Sequence, residues 1–455
     1  MRFPFALPLL AIAAVSSAGC GVAPPEDEGP ADAAPLVLDP WAMKIDGRLA
    51  PTAVVSGAAG DVYLGGTFQG NVTFGGGWLT GEDEGTLFVA HLDPQGEHEM
   101  SGSTGANDEL RSMAVGPDGS FYAAGAFDGS VNFGTGKLTG EHDGYLAAFN
   151  ADGTSAYGLA LPGKGWVYVD GVVTTPDGGV VIGARADDTT DFGAGTISTA
   201  QGQAQMVVAA YDRNGKHLWE QRINGYAIDQ VFLAADQDGS VLLGGSTYQN
   251  VVIGGTTVSY ATFVAKLDSE GAVAWVRTTS NESGYLPALR GLSADEEGNV
   301  YLAGYYYYDP FAIGGVQVPP SQTQNSYLIK LSPDGEGLWA KGFVSDNSAP
   351  SIQIAPAKGG DVLVALTSYY PVDFGGGPVG HVADTDLLIA RFDAKGNHLK
   401  SMALDGNEDE WVLDLAADPT GKPVIVGMFD NLVDIGKDRL VASGGADTFV
   451  ARLDF

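Results

Sequence analysis

A polar turn that ends in glycine and is followed at once by an apolar run recurs along the chain at Gly60, Gly119, Gly178, Gly239, Gly298, Gly360 and Gly421. The spacings are 59, 59, 61, 59, 62 and 61 residues. A fixed period of this length is the mark of a repeat architecture and outranks an element-by-element reading. A second marker, Phe or Ile before Gly, falls once in each period: Phe74-Gly75, Phe133-Gly134, Phe192-Gly193, Ile253-Gly254, Ile313-Gly314, Phe374-Gly375 and Ile435-Gly436. A third is an apolar strand usually ending in Asp, as in Phe88 to Asp93, Phe263 to Asp268 and Phe449 to Asp454. Three markers in one register divide the chain into seven units.

Each unit parses as four strands. In the fourth these are Val231 to Ala235, Val241 to Thr247, Thr262 to Asp268 and Val273 to Thr278, with tight turns at Asp238-Gly239 and Glu270-Gly271. Glycine suits such turns because it accepts the positive φ they require. The seventh unit stops after its third strand, and the N-terminal segment Trp41-Ala42-Met43-Lys44-Ile45 matches the fourth strands that begin at Trp219, Trp275 and Trp339. A strand missing at one end of the chain and supplied by the other closes a ring and removes its open edge. The expected fold is therefore all-β: a seven-bladed β-propeller with four-stranded blades starting near 52, 110, 169, 230, 288, 351 and 411, closed by residues 36–46. Small residues at the sixth position after the turn glycine, Gly66, Gly125, Ala184, Gly245, Gly304 and Gly427, let backbones approach, and Leu366 breaks the pattern in the sixth unit. A β-solenoid and a string of sandwiches are the rival folds, disfavoured because their repeats have other lengths.

Composition agrees, with 66 Gly, 23 Pro and 10% aromatic residues among 455. The first residues add a location. Met1-Arg2, an apolar run from Phe3 to Val15 and the small residues Ser16 to Gly19 read as a signal peptide over 1–19. Cys20, the single cysteine, stands where bacterial lipoproteins carry the acylated thiol, although Ser17 replaces the apolar residue usual in that motif. Lipidation there would anchor the chain to a membrane. Gly21 after the cysteine points, by resemblance to such lipoproteins, to the outer membrane, with the body on its periplasmic or outer side. Residues 20–35 are a Pro- and Ala-rich acidic tether, and 36–455 form the body. The mature chain has 22 basic and 56 acidic residues, net −34, which disfavours nucleic acid and anionic lipid surfaces and leaves the lipid anchor as the only membrane contact.

The segment Asp295-Glu296-Glu297-Gly298-Asn299-Val300-Tyr301-Leu302-Ala303-Gly304 resembles the bacterial β-propeller repeat family of exported and surface proteins, and Phe263 to Gly271 with Trp275 does so too. The resemblance runs through residues 36–455. It implies a propeller in an extracytoplasmic setting and carries no catalytic residues, because its members share a scaffold.

Catalytic chemistry is sparse. His98, His217 and His398 are one repeat position seen three times, two residues after a turn glycine, and no histidine pair has metal-ligand spacing. Acid clusters such as Glu82-Asp83-Glu84 read as solvated loops. Asp236-Gln237-Asp238-Gly239 and Asp295 to Gly298 look like fragments of calcium loops without the remaining ligands, so calcium is weighed and no cofactor or metal is assigned. The expectation is a binding module and not an enzyme. The connections from second to third strand and between units are the long ones, and long loops on a rigid scaffold carry recognition. Tyr226, Tyr248, Tyr285, Tyr306, Tyr307, Tyr369 and Trp411, with Asp170, Asp229 and Asp409, are the candidate ligand contacts, alongside Trp166, Tyr168 and Tyr370. Aromatic rings beside acids stack on sugars or receive a peptide, so the partner is an envelope glycan or protein; packing between blades is the other reading of the same tyrosines. The expected state is a monomer. The alternatives are a scaffold in outer-membrane assembly and, behind it, a lyase or glycosidase using acids at the ring mouth.

Overall fold

The computed structural model describes residues 36–81, 85–106, 108–198, 204–224, 230–281, 285–321, 323–343, 351–382 and 384–455. Cys20, the leader and most of the tether lie outside these residues. The body, Leu38–Phe455, is one compact unit, all-β and propeller-like, built of four-stranded antiparallel sheets. In the third repeat the strands are Val167–Thr174, Val180–Asp187, Ala204–Tyr211 and His217–Asn224, hydrogen-bonded in chain order. The second, fourth, fifth and sixth repeats follow the same order.

The long strand Trp41–Ser56 serves two sheets. Its first part, Trp41 to Ile45, pairs with Arg452 back to Thr448 as the fourth strand of the seventh repeat. Its second part, Arg48 to Ser56, opens the first repeat against Gln69 to Val62. The two ends of the chain are thus joined in one ladder.

Why the strands read as apolar runs follows from packing on both faces. Successive side chains of a strand point to opposite sides. Val62 and Leu64 enter a cluster shared with Val424, Val426 and Val450 of the seventh repeat, while Tyr63 between them enters a cluster shared with Leu110 and Phe121 of the second. Val362, Val364 and Leu366 likewise face the fifth repeat, and Leu363 and Ala365 the seventh. The core is therefore a series of layers between consecutive sheets, with a further layer between the seventh and the first.

The connection between second and third strands differs from the open loop expected. In the fourth repeat both strands continue to Ile253 and from Thr256, and the Gly254-Gly255 turn joins them as a hairpin. The Phe/Ile-Gly marker is the tip of this device, and its apolar residue is buried in all seven cases, Phe74, Phe133, Phe192, Ile253, Ile313, Phe374 and Ile435. The tips fold back on the start of the fourth strand: Gly254 lies against Val273, Gly76 and Gly376 against His98 and His398, and Gly193 against His217. That explains the repeated histidine as packing, with His98 and His398 each bonded through Nε2 to a serine three residues on at 3.0 Å.

A second recurrence locks repeat to repeat. The residue four positions after the third-to-fourth turn glycine lies against the same turn in the following repeat. Trp41 covers Gly96, Met100 covers Gly153, Tyr157 covers Gly215, Trp219 covers Gly271, Trp275 covers Gly335 and Trp339 covers Gly396. The indole N–H groups of Trp219, Trp275 and Trp339 donate to Ser269, Pro333 and Ala394 carbonyls at 2.9–3.1 Å. Each of these glycines has positive φ, and a side chain there would meet the ring or, at Gly153, the Met100 sulfur.

Beneath the short turns a basic residue of the third strand is buried against a turn acid: Lys266 on Asp236 at 2.7 Å, Lys330 on Asp295 at 3.0 Å and Arg452 on Asp418 at 3.0 Å. Arg452 also donates to the carbonyls of Pro94 and Gly60 in the first repeat. Removing one member of a buried pair leaves the other charge unpaired, at about 3–5 kcal/mol. Arg452→Ala is expected to lose stability on this scale, read as a lower urea midpoint at unchanged slope. Arg452→Met combined with Asp418→Leu should recover most of the loss; equal midpoints for wild type and the single variant would refute the assignment.

Candidate functional site

The site begins with an irregularity in the first strands. Register slips by one residue at Thr52, Arg111, Asp170, Arg290 and Leu413, the same position in five repeats. The cause lies across the ladder. Gly66, Gly125, Gly304 and Gly427 pair directly before the slip, and a Cβ on any of them would collide with the carbonyl of Ala50, Glu109, Ala288 or Trp411. In the sixth repeat the first strand is regular, Ile352 opposite Leu366, so a leucine fits there. The small-residue pattern and its exception thus have one origin.

A bulge turns its extra side chain away from the ladder. Here Thr52, Arg111 and Arg290 line a cavity of about 360 Å³ among the first strands, with Ser112, Gln230, Ser351, Gln353 and Asp414. The lining is polar and holds three charged groups, Arg111, Arg290 and Asp414. Inter-repeat hydrogen bonds brace it: the Thr52 hydroxyl donates to Leu110 O at 3.0 Å, Gln353 Nε2 to Leu413 O at 3.1 Å and Val54 N to Asp414 at 2.8 Å. Burial pushes the Asp414 carboxyl up to about 7, against the opposing effect of the Val54 and Leu415 N–H groups.

The two arginines differ. Arg111 is held by Asp170 at 3.0 Å and Glu109 at 3.1 Å, and its guanidinium lies 4.5 Å from the centre of the Tyr168 ring. Tyr168 stacks on Trp166 at 5.4 Å, and Trp166 on His142 at 3.6 Å. Arg290 donates to its neighbour's carbonyl, Leu289 O, at 2.9 Å and to the Tyr305 hydroxyl at 3.0 Å, and lies 4.9 Å from that ring's centre. Among the described residues it makes no ion pair. Tyr305 meets Tyr307 at 5.9 Å, and Tyr307 meets Tyr285 at 6.1 Å and Tyr308 at 6.3 Å. Tyr285 and Tyr308 are 56% and 50% exposed, so the ladder runs from the cavity to solvent.

Several expected contacts need correction. Tyr306 is 2% exposed: in a strand that pairs Tyr305 with Ser326 and Tyr307 with Gln324, it points to the other face, packs on Phe311 and Tyr327, and donates to Pro319 O at 2.9 Å. Asp170 is not a ligand acid either, because Arg111, Arg185 (2.5 and 3.0 Å) and Val231 N occupy its buried carboxylate. Asp409 accepts from Thr385 N at 2.7 Å, tying two loops together. Trp411 is half-buried opposite Met428. Tyr248 and Tyr369 are exposed but stand apart, each against a neighbouring tyrosine, Tyr260 and Tyr370. Of the expected set, Tyr285 and Tyr307 come together. Tyr226 and Asp229 lie outside the described residues. The arginines were missed, although both stand eight residues before a turn glycine, a shared position visible in the repeat register.

No family model matches the chain, and no curated protein matches it by sequence. Solved structures resemble it distantly. A Bacteroides caccae protein of unknown function is 11% identical, with 65% of this chain and 82% of that one covered and a TM-score of 0.35. A glucose dehydrogenase is 13% identical over 77% and 97%, TM-score 0.39, and a puromycin hydrolase 14% over 85% and 51%, TM-score 0.47. The expectation that the body is not an enzyme is corrected by these neighbours, which include enzymes, and is withdrawn; similarity at this level assigns no reaction to this chain.

Two outcomes follow from the geometry. Tyr306→Ala should destabilise the body by about 3–5 kcal/mol, the range for emptying a buried aromatic site, whereas Tyr308→Ala should stay within about 0.5 kcal/mol in the same denaturant titration. Asp414 has its carboxyl raised in the folded state, so its contribution to stability is full below the ordinary carboxylate range and is lost as pH rises towards 7. Asp414→Asn is expected to flatten the fall of melting temperature between about pH 4 and pH 7; parallel curves for the two proteins would contradict the assignment.

Proposed function

We propose that the chain is a lipid-anchored cell-envelope protein whose sheets form the seven blades of a closed propeller, and that it binds an envelope glycan where the aromatic ladder reaches solvent. The ring is supported by the order of contacts: the first strands touch in sequence, and that of the seventh repeat touches that of the first. Anchoring is supported by the leader and Cys20. The observation that carries the binding reading is the contiguous run Tyr305, Tyr307, Tyr285 and Tyr308, exposed at its outer end and backed by a guanidinium at its inner end. Tyrosine offers a rigid apolar face with a hydroxyl at its rim, the combination that suits a sugar ring and its hydroxyls. A second stack, His142 on Trp166, lies beside the other cavity arginine.

Labelled protein is expected to bind isolated bacterial envelopes, and to bind them equally after the envelopes are digested with protease. The Tyr285→Ala, Tyr308→Ala double variant should bind about tenfold more weakly with an unchanged melting temperature, a loss of roughly 1.4 kcal/mol. Loss of binding on digestion would make the partner a protein; undiminished binding by the double variant would remove the ladder from the site.

A further inference from the structure

We propose that Arg290 at the cavity is a subsite for the carboxylate of an acidic sugar, a uronate, whose ring rests on the tyrosine ladder. The inference deepens the glycan reading and rests on it for the ring contact.

Charge is distributed unequally over the body. In a body with a large acidic excess, most half-buried and buried cations hold carboxylates: Arg111 and Arg185 share Asp170, Lys266 has Asp236, Lys330 has Asp295, Arg391 has Asp361 and Arg452 has Asp418, while Lys341 lies over the Phe392 ring. Arg290 is half-buried, and among the described residues it has none. A guanidinium presents five N–H donors in a planar fork, and the carbonyl of Leu289 and the hydroxyl of Tyr305 engage two of its nitrogens. The remaining donors have no protein partner among those described, which is the state of a cation kept for a ligand.

The cavity beside it holds about 360 Å³, at the small end of the range for small-molecule sites. Its other lining groups, Gln230, Gln353, Ser351 and Thr52, offer neutral donors and acceptors of the kind that meet hydroxyls. The lining holds two arginines against one acid, and the raised carboxyl of Asp414 makes it more receptive still to an anion. A planar fork matches a carboxylate in bidentate fashion.

The test is calorimetric titration of the purified protein with an aldobiouronic acid, a disaccharide carrying one carboxylate, beside its methyl ester and neutral cellobiose. The acid is expected to bind at least tenfold more tightly than the ester. Arg290→Gln should reduce the acid to the level of the ester, while Arg290→Lys, which keeps charge and loses the fork, should fall between them. Tyr308→Ala should weaken acid and ester alike. Inorganic phosphate in tenfold excess should not displace the acid. Equal affinities for acid and ester, no binding of the acid, undiminished binding by Arg290→Gln, or displacement by phosphate would each overturn the subsite. Should the acid fail while envelopes still bind the protein after digestion, the subsite falls and the glycan reading stands; should the acid bind while envelopes do not, the subsite stands and the envelope reading falls.

Discussion

The spacing between successive sheets is the constraint on which the molecule depends. Every sheet is buried on both faces, so a shift of one sheet opens two cores at once. The bulky residue of six of the fourth strands, seated on the next repeat's turn glycine, sets that spacing, and a third-strand cation on a turn acid fixes it beneath several of the short turns. Where the chain ends meet, both devices converge: Trp41 covers Gly96, and Arg452, which pairs with Trp41 in the ladder, reaches the Gly60 and Pro94 carbonyls of the next repeat. With no second cysteine in the chain, no disulfide within it can take over this task, and the buried ion pair is the substitute.

At the inner end the same packing produces the cavity. Bringing a first strand close to its neighbour requires a small residue in the second strand, glycine in four repeats and Ala184 in the third, and the close approach is accompanied by an extra residue forced out of the ladder. A structural requirement therefore generates a set of side chains free of sheet duties. Arg111 and Arg290 occupy two of these positions; threonine, aspartate and leucine occupy others. The scaffold fixes where the side chain emerges and leaves its identity open.

Much of this was legible in the chain. Period, strand count, turn glycines and the strand shared between the two ends could all be read because each rests on local chemistry: φ at glycine, apolar runs, a missing strand matched elsewhere. The small-residue pattern and the anomaly at Leu366 were visible, but their cause was not, since it depends on a carbonyl in a neighbouring strand. The site was read less well. In the run Tyr305 to Tyr308 the residue type is constant, and only strand register decides that Tyr306 is core while Tyr305 and Tyr307 share the face towards Arg290. Asp170 reads in the sequence as a ligand acid because its two arginines come from positions 59 and 15 residues away. The second-to-third connections read in the sequence as open loops because a hairpin that folds back over its own sheet has the same turn glycines as one that projects.

A repeat protein carries its own internal comparison, and this one separates scaffold from function. Positions that recur, such as the turn glycines, the Phe/Ile-Gly tip and the histidine beneath it, have packing reasons in the structure. Positions at which one repeat departs from the others without a packing reason are where function has room. Leu366 departs and is explained by a regular strand. Arg290 shares its bulge position with Arg111, but Arg111 is paired with Asp170 and, among the described residues, Arg290 has no carboxylate partner. Holding a half-buried guanidinium without its counter-charge costs stability, and in a fold that pairs most of its interior cations a ligand that completes the pair is the reason to bear that cost.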